Sequence, residues 1–272
     1  MGRENLIFYT KGTKEEQTMA LLEVTHLQKI YKSRFSSIQV EALRDITFSI
    51  EPGEFVAIMG ESGSGKTTLL NLLAVLDQPT AGTIMIGDQN ASKIPAKQLS
   101  AYRRNHLGFV FQDYSLLDTF NLKDNILLPL VLNNEKVATM ENRLSKMAQR
   151  LGLESLLKKY PYEVSGGQKQ RAAVARALIV EPELLLADEP TGALDSKSSS
   201  DLLDLFSMLN QQGQTICMVT HSINAASYAS RVLFIQDGSI FHQLYKGSAT
   251  REQFYEQISN TLTIMANREE AK

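Results

Sequence analysis

Residues 60–67 read GESGSGKT. They follow the apolar run FVAIM and open the stretch KTTLLNLLAVL. A G-x-x-x-x-G-K-[ST] loop between a buried strand (55–60) and a helix (66–76) admits few folds. It needs a strand that ends at glycine and a helix that starts with free N–H groups. It therefore predicts an α/β core with a phosphate-type anion at the turn. Gly60, Gly63 and Gly65 let the backbone wrap the anion, and Ser62 and Ser64 keep the loop small. The N–H groups from Gly63 to Thr68 converge on it. Lys66 adds charge for the outer phosphates of a nucleotide, and the Thr67 hydroxyl suits Mg²⁺. A chance Gly-rich turn would lack this strand-before, helix-after context.

The rest of the chain agrees. LLEVTHL and QVEALRDITFSI alternate apolar and polar residues and read as strands. EPGE (51–54) is a turn, TIMI (83–86) a strand, 97–105 a short helix and LGFVFQ (107–112) a strand. From about 113 to 163 the pattern is helical. A helix follows over 168–180, then strand ELLLAD, helix SKSSSDLLDLFSMLNQ, strand TICMVTH and strand RVLFIQDG. Strands alternating with helices on both sides of a helical insertion mean an α/β core with an inserted helical subdomain. In 249–268, Phe254, Ile258, Leu262 and Met265 fall at helical spacing, a stripe that packs on the core or on a partner.

A second motif strengthens the first. LLLADE (184–189) is an apolar strand ending in two carboxylates. Asp188 at the strand tip suits Mg²⁺, directly or through water. Glu189 is placed to orient or deprotonate water. A third stretch, VSGGQKQR (164–171), places a small polar residue and two glycines at a helix start, again an anion-binding arrangement. Lys66 and Ser165 are 99 positions apart, so one chain carries two halves of a phosphate site. Gln112 ends a strand and His221 follows one. Each taken alone is an ordinary polar residue at a strand end; their order along the chain is what carries information.

The bulk numbers exclude several classes. Lys plus Arg number 28 and Asp plus Glu 30, for a formal net charge of −2, so no charge excess argues for nucleic acid or an anionic membrane. The single cysteine, Cys217, excludes an internal disulfide, sits in an apolar run and fits a reducing, cytoplasmic compartment. No stretch approaches the roughly 18 apolar residues of a membrane span, and the first 18 residues show neither a secretory nor a myristoylation signal. Residues 1–20 are expected to be a flexible arm, 21–245 the catalytic domain with its helical subdomain near 113–165, and 246–272 a helical tail.

The order of P-loop, Gln112, SGGQ, LLLADE, GALD and His221 resembles the ATP-binding subunit of an ABC transporter, over about residues 21–243. The resemblance implies a P-loop NTPase core (a mixed sheet with helices on both faces) with an antiparallel β subdomain and the helical insertion. It implies ATP and Mg²⁺ as cofactors, with Lys66, Gln112, Glu189 and His221 catalytic and Thr67, Gln112 and Asp188 around the metal. SGGQ looks like the family signature, with Val164 where Leu is usual. GALD (192–195) looks like the D-loop, with Gly192 where Ser is usual and Asp195 keeping its acidic position. Tyr31 looks like the aromatic that stacks on adenine, against the alternative of a strand-face core aromatic. In this family two copies pair head to tail, so Ser165, Gly166, Gly167 and Gln168 of one close over the nucleotide held by the other.

With no membrane span in the sequence, the resemblance implies a separate membrane permease as partner and a place at the cytoplasmic face of the membrane. The region after Gln112 receives the permease in this family; Leu116, Leu117 and Phe120 there read either as a docking groove or as subdomain core. The stretch from QVEALRD to AGTI is similar to the macrolide-exporter and lipoprotein-release branch. HQLYKGSATREQFYEQISNTLTIM is similar to the bacitracin- and lantibiotic-resistance ATPases of Gram-positive bacteria. That similarity implies resistance to cell-wall-directed antimicrobial peptides, a permease with a large extracellular domain and an associated sensor kinase. Lipoprotein release or another envelope task is the alternative, a nutrient importer the third. A soluble ATPase acting on ribosomes or DNA fits poorly, because there is one cassette, no long coiled-coil insertion and no basic excess.

Overall fold

The computed structural model describes residues 20–32 and 39–270, with side chains to residue 267. The flexible arm expected over 1–20 lies outside the described residues but for Ala20. The centre of the molecule is a parallel sheet whose strands are covered along almost their whole length. Phe55–Met59 (β3) and Thr215–Val219 (β8) are buried throughout; Leu184–Asp188 (β7) is buried up to the half-buried Asp188. Arg231–Gln236 (β9) and Leu107–Val110 (β6) complete it in the order β9-β3-β8-β7-β6, all parallel. Unbroken apolar runs with no alternation are what a sheet covered on both faces demands.

The two faces carry different cores. Phe55, Ala57 and Met59 point into one cluster, with Leu185, Ala187, Ile216, Met218, Val232 and Phe234. Val56 and Ile58 point into the other, with Leu184, Leu186, Cys217, Val219, Leu233 and Ile235. Burial pushes the Cys217 thiol up to about 12, so it behaves as the buried hydrophobe read from the sequence.

An antiparallel layer extends the sheet. Leu22–Lys32 (β1), Gln39–Ile50 (β2), Ala81–Ile86 (β4) and Gln89–Asn90 (β5) run in the order β5-β4-β1-β2. Ser239–Tyr245 (β10), a strand the sequence reading did not assign, joins the two parts. It pairs antiparallel with β9 and touches β2 through Ser239 and Asp45. Its residues are only half-buried, so its hydrophobic signal is weak.

Helices pack on both faces. Lys66–Leu73 (α1) follows β3, and Ala96–His106 (α2) leads into β6. The insertion holds Leu122–Leu132 (α3) and Val137–Leu151 (α4). Beneath its entry loop, buried Asn125 accepts the Leu117 N–H at 2.8 Å and donates to the Leu117 and Phe120 carbonyls at 3.0 Å. Gly166–Leu178 (α5) returns to the core, followed by Ser196–Gln211 (α6), the short Ile223–Ala226 (α7) and Arg251–Glu270 (α8). In α8, Phe254, Ile258 and Met265 are buried in the first cluster and Leu262 packs against it. The stripe read from the sequence therefore faces this chain's own core.

Candidate active site

Parallel strands place their carboxyl ends along one edge, where α/β proteins hold ligands. The loop after β3 carries GESGSGKT, the loop after β6 Gln112, the tip of β7 Asp188 and Glu189, and the loop after β8 His221. Gln112 lies two residues beyond β6, whose last pair is Val110 with Ala187. The sequence reading carried that strand through Gln112; the ladder ends sooner and leaves the side chain exposed on a loop.

The phosphate loop tolerates only glycine at two points. A Cβ on Gly60 would sit 2.2 Å from the Ile235 carbonyl oxygen. One on Gly65, at φ +103°, would sit 2.5 Å from that of Ala42. Gly65 precedes α1 with no side chain capping it, so the first-turn N–H groups of α1 have no helical acceptor. The Ser64 hydroxyl is buried without a hydrogen-bond partner. Lys66 curls back over the loop, its ammonium donating to the carbonyls of Gly60 at 2.8 Å and Glu61 at 2.6 Å. Burial holds its pKa below the ordinary lysine value, opposed by Glu189, Asp188 and Glu61. An uncapped helix start, a glycine cradle and a cation folded over it fit a polyphosphate.

At the tip of β7, Asp188 is half-buried. Desolvation, then the neighbouring Glu189, push its carboxyl above the usual range, with Lys66 pulling the other way. A carboxylate penalised in this way, with the exposed Thr67 hydroxyl in the first turn of α1, fits a hard divalent cation. No cluster of three or more His, Cys, Asp or Glu able to hold a metal exists among the described residues. Glu189 sits at φ +45° and donates its N–H to the Val219 carbonyl at 2.9 Å. His221 Nδ1 lies 2.9 Å from Glu189 Oε1, and its N–H donates to Oε2 at 3.3 Å. Facing a carboxylate, Nδ1 carries the proton, which fixes the ring and leaves Nε2 directed elsewhere.

The second anion-type end is built differently. Ser165 caps α5 by accepting the Gln168 N–H at 3.3 Å, and Gln168 Oε1 accepts the Ser165 N–H at 2.9 Å. A Cβ on Gly166 would meet Tyr114 Oη at 2.9 Å, and one on Gly167 the Ser198 hydroxyl at 2.8 Å. The neighbours of these glycines are Tyr114, Leu194, Ala193 and Ser198; those of Gly60 and Gly65 are Ile235, Ser64, Ala42 and Leu43. The atoms that approach the two pairs of glycines most closely belong to different parts of the chain. Asp195 caps α6, accepting the Ser198 N–H at 2.9 Å and its hydroxyl at 2.7 Å. Gly192 packs on Gln112, whose Nε2 would lie 2.8 Å from an added Cβ, so glycine there leaves room for the glutamine.

The family model described as "ABC transporter" matches residues 43–192, more than half of the chain. The chain belongs to the ABC transporter family. The ABC transporter ATP-binding protein YxdL of Bacillus subtilis (strain 168) is 50% identical over 246 residues, covering 90% of this chain and 94% of that protein. The bacitracin export ATP-binding protein BceA of Halalkalibacterium halodurans is 48% identical over 248 residues, covering 91% and 97%. Among solved structures, the ATP-binding cassette MJ0796, in a dimeric post-hydrolysis state bound to ADP and Pi, aligns with a TM-score of 0.75. It is 35% identical and covers 82% of this chain and 98% of that one. The molecule is an ATP-binding, ATP-hydrolysing subunit of the ABC type. Within this ABC subunit, Tyr31 lies on β1 with its ring 42% exposed and its hydroxyl donating to Asp77 Oδ2 at 2.9 Å.

Sequence reasoning missed Gln170. It is fully buried and donates to the Pro190 carbonyl at 2.9 Å and the Phe111 carbonyl at 3.3 Å. It thereby ties α5 to the loops carrying Gln112 and Glu189. Its position in VSGGQKQR, one turn into a helix that begins with a capping box, was the available signal: a glutamine on the buried face needs partners.

Proposed function

We propose that this ABC subunit pairs head to tail with a second copy and powers a separate membrane permease that protects the cell against cell-wall-directed antimicrobial peptides. The observation that carries the peptide assignment is the 48% identity to a bacitracin export ATP-binding protein over 97% of that protein's length. Pairing is supported by the dimeric cassette that the chain resembles and by the different surroundings of the two anion-type ends. A two-fold dimer sets Ser165, Gly166 and Gly167 of each copy, with Gln168, against the other's phosphate loop. The partner permease would carry a large extracellular domain, with a sensor kinase associated, at the cytoplasmic face of the membrane. No helix among the described residues is long and apolar enough to cross a membrane.

The residues divide the chemistry as follows. The open N–H groups of α1 and the Lys66 ammonium hold the phosphates, and Tyr31 stacks on the base. Thr67, Gln112 and Asp188 are the residues that would hold Mg²⁺, which when bound supplies charge neutralisation. Glu189 takes a proton from the attacking water or orients it, and His221 fixes Glu189 through Nδ1. Gln112 packs against the loop of Gly192, and a groove of about 340 Å³ beside it, lined by Arg104, Phe109, Phe111, Leu128, Pro129 and Arg176, would receive the permease. Leu117 and Phe120 are exposed, whereas Leu116 packs against the core.

The test is growth inhibition of the native host by bacitracin, nisin and related peptides, with the natural chain or Glu189→Gln. Selective loss of resistance in the variant supports the assignment. Unchanged sensitivity to every peptide overturns it and directs attention to lipoprotein release or another envelope task.

A further inference from the structure

Lys29 is a buried cation, its side chain 11% exposed, set two residues before Tyr31 and on the same face of β1. Its ammonium donates to Asp77 Oδ1 at 2.7 Å and to the Gln78 carbonyl at 2.8 Å. It also lies over the Tyr31 ring, 4.7 Å from the centroid. Tyr31 Oη donates to the other Asp77 oxygen at 2.9 Å, and the Gln78 N–H anchors Oδ1 at 2.7 Å. Both ends of the tyrosine are therefore held, the hydroxyl by a carboxylate and one ring face by a cation.

We propose that Lys29 and Asp77 are positioning residues for the nucleotide base: they clamp Tyr31 so that the ring face away from Lys29 is presented to the purine. The inference rests on the reading of Tyr31 as the base-stacking residue. An exposed tyrosine free to rotate would lose that freedom on binding, and a ring already fixed does not. A cation on one face also draws electron density from the ring, which favours stacking of an electron-rich purine on the other.

The experiment is equilibrium binding of ADP, and of inorganic pyrophosphate by competition, to the full chain and to Lys29→Met, Asp77→Asn, Tyr31→Phe and Tyr31→Ala. ADP avoids turnover, and pyrophosphate reports the phosphate loop without a base. Lys29→Met, Asp77→Asn and Tyr31→Phe should each weaken ADP about two- to fivefold, the worth of one cation–π contact or tether, with pyrophosphate unchanged. Tyr31→Ala should weaken ADP more than any of them. Unchanged ADP affinity in Tyr31→Ala removes the stacking reading itself. A loss in Tyr31→Ala with none in Lys29→Met or Asp77→Asn overturns the clamp alone. An equal loss of ADP and pyrophosphate also overturns it, because it assigns the network to loop stability rather than to the base.

Discussion

Gly166→Asp tests the composite site most sharply, because it should barely disturb the single chain and should break the pair. In one chain the added Cβ meets Tyr114 Oη at 2.9 Å, Leu194 Cδ2 at 3.5 Å and the Ala193 carbonyl oxygen at 3.9 Å. The closest of these is the end of a side chain whose hydroxyl donates to the Ala193 carbonyl at 3.3 Å. Turning it aside costs about 1 kcal/mol. The new carboxylate stands in the first turn of α5, which has no acidic residue now, and there an anion contributes roughly 0.3–1 kcal/mol. The two terms nearly cancel, so Tm should move by no more than about 4 °C. In the pair the same carboxylate faces the partner's terminal phosphate. Two like charges about 4 Å apart at an effective dielectric near 20 repel by about 4 kcal/mol. That is roughly a thousandfold loss in closure at each of two sites.

The assay is ATP-dependent dimerisation in a Glu189→Gln background, with ATPase rate alongside. Gly166→Ala serves as control, since it displaces Tyr114 without adding charge. The aspartate variant should stay monomeric and inactive yet bind ADP normally at its own phosphate loop, while the alanine variant keeps measurable activity. Full ATPase activity in Gly166→Asp would refute the composite site.

The other expectations are simpler. Glu189→Gln should lower hydrolysis by about 10²–10⁴-fold while nucleotide binding persists; loss of binding in titration would show that Glu189 is structural. Asp188→Asn should raise Tm at neutral pH while abolishing turnover, because burial holds the Asp188 carboxyl above its unfolded value. A group shifted that way weakens the fold when ionised, and stability returns as pH falls through the raised pKa. Melting curves of both proteins should therefore converge in acid, and the absence of any gap at neutral pH would refute the sign. Phe254→Ala, at a fully buried site on α8, should cost about 3–5 kcal/mol in denaturant unfolding; a cost under about 1 kcal/mol would mean the tail does not stabilise the core.

What was legible in the sequence was whatever depends on near neighbours. β3, β7 and β8 could be read because each is an unbroken apolar run bounded by turns. The stripe of Phe254, Ile258 and Met265 is a short-range period. The glycines at 60 and 65 are fixed by close approaches to Ile235 and Ala42 that no local pattern reveals, yet the motif's spacing carries them. What escaped depends on distant partners. β10 is half-buried and takes its place from pairing with β9 and β2. Gln170 has meaning only through Phe111 and Pro190. Lys29 and Asp77 are 48 positions apart, and nothing near either one announces the other.

The two helix starts are built for different parts in the proposed pair. α1 begins at a glycine with no cap, and its lysine is occupied by the loop's own carbonyls. It is an open end, satisfied only by an anion lying in the loop. α5 begins with a closed capping box, its serine and glutamine holding each other's backbone N–H groups. Its glycines are wedged against Tyr114 and Ser198, and Gln170 braces it to the loops behind. Such an end is rigid before it meets anything, so closing over a phosphate costs little local ordering. The flexible demand falls on the loop that holds the nucleotide and the preformed surface on the one that closes over it. In the proposed pair, each copy would supply the end that the other's nucleotide lacks.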